Sequence, residues 1–142
     1  MNAVEKWYEV MKSNNLDLLD NLLADDVIFY SPVVFTPQKG KEITKMYLMA
    51  AEGVFGSNQN QDRNESNEDK SSKFKYTKEI IGETSALLEF ETEMEGIYIN
   101  GVDILSWNKE EKITEFKVLV RPLQAVNMLH QKMQAMLENL KK

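Results

Sequence analysis

Apolar positions recur at helical spacing through Val4, Trp7, Tyr8 and Met11, stop at Asn14-Asn15, and resume through Leu16, Leu19, Leu22 and Leu23. That spacing predicts two short helices broken at the paired asparagines. Ala24-Asp25-Asp26 is expected to end the second helix in a turn. The β-prone run Val27-Ile28-Phe29-Tyr30 follows and is closed by Ser31-Pro32, because proline cannot donate to a ladder. After Gly40 a third helix is predicted, with Ile43, Met46, Tyr47, Ala50 and Val54 on its apolar face. From Gly56 to Ser72 nothing is apolar, so little offsets the entropy of ordering the segment, and a mobile loop is expected.

Beyond that loop the period changes to two. Strands are predicted from Lys73 to Ile81, Ser85 to Glu95 and Tyr98 to Trp107. A fourth runs from Lys112 to Arg121, after the turn Asn108-Lys109-Glu110-Glu111. In the second strand Ala86, Leu88, Phe90, Thr92 and Met94 alternate with Glu89, Glu91, Glu93 and Glu95, the pattern of a half-buried antiparallel sheet. Pro122 then opens a closing helix with the stripe Leu123, Val126, Leu129, Met133, Leu137 and Leu140. Helices first, then a meander, then a last helix imply an α+β fold, its helices against one face of a curved antiparallel sheet. A length of 142 residues with 42% hydrophobic content fits a single domain over the whole chain.

Charge narrows the partners. A net charge of -6 with dispersed lysines argues against nucleic acid or an anionic membrane surface, both of which need a concentrated basic patch. No stretch has the shape of a signal peptide or the length of a membrane span, so a cytoplasmic protein is expected. The absence of cysteine excludes disulfides, thiolate catalysis and thiolate metal sites. No cofactor and no metal site are expected. Asp62 to Ser66 has the start of a calcium loop, but Asn67 stands where glycine is needed and Lys73 where the last acidic ligand is needed.

Asp103 carries the most chemical information, because it stands alone among apolar neighbours in Gly101-Val102-Asp103-Ile104-Leu105-Ser106-Trp107. Pointing inward, it would be desolvated and its pKa raised, making it a proton donor or acceptor at neutral pH; pointing outward, it is a solvated acid. Asp103, Leu105 and Trp107 share one strand face. Tyr30 and Tyr47 can each present a hydroxyl to a pocket, where either is a candidate hydrogen-bond partner for Asp103, or sit at the core edge. Trp7, Phe90, Phe116 and Trp107 suit a core and a ligand wall alike. His130, alone on a helix edge, has no partner near it in sequence. Arg121 is expected to face out and pair with a glutamate of the same sheet or of a partner subunit.

Two stretches, ADDVIFYSP followed by Gly40-Lys41-Glu42 and VDILSWN followed by KITEF, resemble the nuclear transport factor 2-like superfamily, and within it SnoaL-like proteins and ketosteroid isomerases. The resemblance implies a cone-shaped bent antiparallel sheet wrapped around the N-terminal helices, with a pocket open at one end. It places Asp103 where the isomerases keep a protonated aspartic acid that donates to the developing enolate oxygen, a site that serves as a general worked case of a raised carboxyl pKa. Their general-base aspartate corresponds to Ser31, and their oxyanion-hole tyrosine to Trp7. A serine hydroxyl is far too weak a base to take a proton from carbon, so the isomerase mechanism is not expected to operate.

The same resemblance puts Phe116, Val118 and Val120 inside the cone with Asp103, and turns Val102, Ile104, Lys117, Leu119 and Arg121 outward. The half-apolar outer face suits a homodimer. A register pairing Asp103 with Lys117 on a wet surface is the alternative, since a one-residue slip reverses every side chain. Two functional readings follow. One is a non-catalytic domain binding a small apolar molecule, its pocket formed by Trp7, Tyr30, Ser31, Tyr47, Phe90, Leu105, Trp107, Phe116, Val118 and Val120. The other is an isomerase or polyketide-cyclase-like enzyme with Asp103 as catalytic proton donor or acceptor on an enolisable carbonyl compound.

Overall fold

Asn14 ends helix α1 (Ala3–Ser13) in the left-handed conformation, φ 56°, and Asn15 caps helix α2 (Leu16–Leu22) by accepting from the backbone N–H groups of Asp17 and Leu18. The two asparagines thus break the helical pattern by separate capping roles. The structure, a computed structural model, describes residues 2–60 and 74–141, the side chains of 52–60 and 139–141 excepted. The remaining elements are β1 (Leu23–Tyr30), β2 (Gln38–Lys39), α3 (Lys41–Asn60), β3 (Lys75–Ile81), β4 (Ser85–Met94), β5 (Ile97–Trp107), β6 (Ile113–Arg121) and α4 (Leu123–Lys141).

Three boundaries depart from the sequence pattern. Leu23 is extended rather than helical, so β1 begins there and Asp25-Asp26 belong to a strand instead of a turn. Leu23, Ala24 and Val27 are buried while the two aspartates face solvent, where Asp25 meets Lys41 at 3.4 Å. Burial on either side of the acidic pair outweighs its turn propensity, and the pairing with β6 shifts between Leu23 and Ile28 to accommodate it. The two-residue β2, too short to show a period, pairs with β1. Helix α3 continues to Asn60, past the Gly56 where a loop was expected; positions 61–72 of that loop lie outside the described residues.

The fold is α+β, with one six-stranded, unclosed sheet in the order β2-β1-β6-β5-β4-β3. It is mixed rather than wholly antiparallel, because β1 runs parallel to β6. A parallel pair needs a long crossover, and everything from α3 to β5 supplies it. Register shifts between Tyr76 and Lys78 and between Ser106 and Trp107 add local bends.

The β5–β6 pairing decides the orientation of Asp103. Asp103 lies opposite Val118 and Leu105 opposite Phe116, while Lys117 pairs with Ile104. Burial alternates accordingly along β5, so Asp103 faces inward and the register pairing it with Lys117 is not adopted. The hairpin that sets this register is held by Asn108, whose Oδ1 accepts from the backbone N–H groups of Glu110 and Lys112, both at 3.0 Å. On the outer face, among the described residues, Arg121 reaches a glutamate through Asn100. Its Nε donates to Asn100 Oδ1 at 2.8 Å, and Asn100 Nδ2 donates to Glu89 Oε2 at 2.9 Å.

Two apolar clusters fill the concave side. One joins α1 and α2 to Leu88, Leu105, Trp107, Ile113 and Phe116. The other joins Phe90, Met94 and Ile99 to Ala50 on α3 and to Met128, Leu129 and Met133 on α4. Among the described residues no helix is long and apolar enough to cross a membrane.

Candidate functional site

Between the two clusters the sheet and helices leave a cavity of about 570 Å³. Its floor is the inner face of the sheet: Asp103 on β5, Phe90 on β4, Tyr76 on β3, and Phe116 and Val118 on β6. Trp7 and Val10 of α1 form one wall. Four thioethers, Met11, Met49, Met133 and Met136, close it from three different helices. Methionine is flexible at three torsions, so this wall adapts to a ligand's shape more readily than the aromatic floor.

The polar part of the cavity is a chain of three side chains. Trp7 Nε1 donates to the Tyr76 hydroxyl at 3.0 Å, and that hydroxyl donates to Asp103 Oδ2 at 2.6 Å. Aromatic packing holds the chain in place. Trp7 meets Phe116 edge-on at 4.9 Å between centroids, and Phe74 stands edge-on to Tyr76 at 5.3 Å and stacked on Phe90 at 5.0 Å. Burial pushes the Asp103 carboxyl up from 3.8 to about 7, against the Tyr76 hydrogen bond, which lowers it. Desolvation, followed by the charge of Asp103, raises the Tyr76 phenol well above its ordinary value.

A second phenol lies beside the first. The Tyr8 ring centroid is 5.6 Å from that of Tyr76, and the Tyr8 hydroxyl donates to Glu79 Oε2. Burial first, and then the Glu79 bond, push the Tyr8 phenol up. This bond ties α1 to the edge strand β3. It belongs to the exposed rim, since Glu79 is largely solvated.

Of the residues expected in the pocket, Asp103, Trp7, Phe90, Phe116 and Val118 come together on the cavity wall. The other six lie elsewhere. Tyr30 faces the other side of β1, where Lys117 Nζ sits 4.7 Å from its ring centroid. Ser31 is held in its loop, with Oγ accepting from the Val33 N–H at 3.1 Å; only the adjacent Pro32 reaches the cavity. Tyr47 stacks on the far side of a wall residue, Phe29, at 5.2 Å. Leu105 and Trp107 lie where α1 and α2 fill the cone solidly. Val120 packs against the cluster under α4. His130 is exposed on α4.

Sequence reasoning missed Tyr76, the hydroxyl that bonds Asp103 in place of Tyr30 or Tyr47. The signal for it was the short alternation Phe74, Tyr76 between Lys75 and Thr77, which marks both aromatics as inward-facing.

No family model and no curated protein matches this sequence. Solved structures match it throughout. A steroid delta-isomerase from Pseudomonas aeruginosa superposes with a TM-score of 0.81 at 23% identity, over 97% of this chain and 90% of that one. An uncharacterized protein with a cystatin-like fold from Silicibacter pomeroyi DSS-3 gives 0.76 at 25% identity, over 94% and 83%. An NTF2-like protein of unknown function from Mesorhizobium loti gives 0.62 at 13% identity, over 84% and 88%. The chain has the nuclear transport factor 2-like fold. That is the fold the sequence resemblance implied.

Proposed function

We propose that this chain is a small-molecule-binding domain. Its cavity takes a compact, mostly apolar ligand, and the Asp103–Tyr76 pair fixes the ligand's one polar group. The observation that carries this reading is a carboxyl and a phenol bonded at 2.6 Å on the wall of an open apolar cavity. A polar pair in a filled core would have no ligand to orient, whereas this one borders a space of ligand size, lined by aromatic and thioether side chains. Native mass spectrometry of the purified protein tests it. The expected result is a one-to-one adduct with a small apolar compound, lost when Ala51→Trp places an indole in the cavity. An unaltered adduct in that variant would overturn the reading.

Catalysis on an enolisable carbonyl compound is the second reading. It is favoured by the Asp103 carboxyl standing at about 7, the range in which a group gives and takes protons at neutral pH. Against it stands the lack of a second base on the cavity wall among the described residues: the Ser31 oxygen accepts from the Val33 N–H of its own loop. The two readings separate by incubating the protein with a cyclic ketone in deuterated water. We expect no exchange of the α-protons beyond that with Asp103→Asn, and no detectable steroid isomerisation. Asp103-dependent exchange would establish the enzyme instead.

A further inference from the structure

The hydrogen-bond chain in the cavity has a direction. An indole owns one polar proton and a phenol one. The first is committed to Tyr76 and the second to Asp103. With Asp103 ionised, the three side chains therefore hold two donors and two internal bonds, and none is left for a ligand. Acceptor capacity does remain, because Asp103 lines the cavity and makes no second side-chain hydrogen bond among the described residues, and its Oδ1 is not among the buried atoms left without a partner. The other polar residues of the wall, Asn14 and Asn15, are exposed at the α1–α2 junction; their amides can donate, but among the described residues no hydrogen bond joins them to the Trp7–Tyr76–Asp103 chain, and the Asn15 oxygen is occupied in capping α2. No lysine, arginine or histidine lines the cavity among the described residues.

We propose that the cavity selects its ligand by a hydrogen-bond donor: a hydroxyl or ammonium group that donates to Asp103 Oδ1, in preference to a carbonyl. This rests on the ligand-binding reading above. A carbonyl placed against Oδ1 sets two acceptors face to face, out of water and unpaired, whereas a hydroxyl or ammonium pairs both. A protonated Asp103 would add one donor and relax the selection. The titratable groups around it are Tyr76 on β3 and, beyond that ring, Tyr8 on α1 with its partner Glu79. The selection is thus read most clearly under alkaline conditions that keep the carboxyl ionised.

Four probes on one skeleton test it: ethylnaphthalene, naphthylethanol, naphthylethylamine and acetonaphthone, each titrated into the protein by calorimetry at about pH 8.5, above the value of about 7 to which burial pushes the Asp103 carboxyl. Ethylnaphthalene reports the cavity alone. The alcohol or the amine is expected to bind roughly tenfold or more tightly than the ketone, the scale of an unpaired buried polar group. A gain by both means that a hydroxyl suffices; a gain by the amine alone assigns the ammonium. In Asp103→Asn two amide N–H donors enter the chain. The ketone is then expected to match the alcohol, with an unaltered circular dichroism spectrum as the check on folding. Equal affinity of ketone and alcohol in the wild type, or an order that Asp103→Asn leaves unaltered, overturns the inference while the cavity reading stands. Failure of all four probes to bind overturns both.

Discussion

Tyr76 and Asp103 lie on strands separated by β4, yet the Tyr76 hydroxyl donates to Asp103 Oδ2 at 2.6 Å. Strands two places apart in a flat sheet stand about 10 Å from each other, so curvature and the length of the phenol together close the gap. Gly101 assists. Tyr76 pairs with Phe90 and Phe90 with Gly101, and a Cβ on Gly101 would stand 2.6 Å from the Phe90 ring. With no side chain there, the Phe90 ring lies down on β5 and leaves the inner face open for Tyr76 to lean over it.

Gly101→Ala is accordingly expected to destabilise the protein by about 1–3 kcal/mol, the usual cost of overpacking. The added methyl meets the Leu119 carbonyl oxygen as well as the Phe90 ring, both at 2.6 Å, and backbone cannot swing aside. Urea denaturation measures the loss; stability within a few tenths of the wild type would show that the ring adjusts freely.

The Asp103 carboxyl should make stability depend on pH in a defined window. Its folded-state value, about 7, lies above its ordinary 3.8, so the folded state holds the proton more tightly than the unfolded chain. The associated stability is complete below about pH 3.8 and is lost as pH rises to about 7. The loss is on the order of 4 kcal/mol at about 1.4 kcal/mol per pH unit. Asp103→Asn removes the titration, so the variant should gain on the wild type across that window and match or exceed it at neutral pH. A constant difference between the two urea midpoints from pH 4 to 7 would place the carboxyl in solvent.

Tyr76→Phe removes the acceptor of the Trp7 indole and the donor to Asp103 together. A cost of about 1–3 kcal/mol is expected, larger above neutral pH, where the ionised carboxylate loses its hydrogen bond. Since that bond lowers the Asp103 pKa, its loss should move the titration further upward, which carboxyl carbon NMR reads directly. An unmoved titration would mean that the phenol and the carboxyl are not coupled.

Association is expected through the outer faces of β5 and β6. Leu119 is 49% exposed and Tyr98 73%, and Val102 and Ile104 are half-buried beside them. Covering such apolar area against a second copy gives a two-fold interface. Light scattering at micromolar concentration should report a dimer, and Leu119→Glu a monomer. A wild-type monomer would refute this assembly.

The amino-acid sequence determined most of the local structure by itself. Paired asparagines stop one helix and cap the next, alternation from Ala86 to Met94 sets an inner and an outer face, and Asp103 stands out because its strand neighbours are apolar. These are short-range matters, decided by capping geometry and by the periods of helix and strand. Short-range rules failed where burial overrode them, as when the exposed Asp25-Asp26 was drawn into β1 by the apolar residues on either side.

The partner of Asp103 is a different kind of question. Tyr76 lies 27 residues away, and in the flat pattern of the sequence Tyr30 and Tyr47 had an equal claim to the bond. Only the tertiary structure decided among the three, by turning Tyr30 to the outer face, stacking Tyr47 on Phe29, and bending β3 over β5 across a glycine. The physical reason is that side-chain direction follows from local periodicity, while the distance between two inward-facing side chains depends on sheet curvature, which accumulates from the twist and bulges of every strand between them.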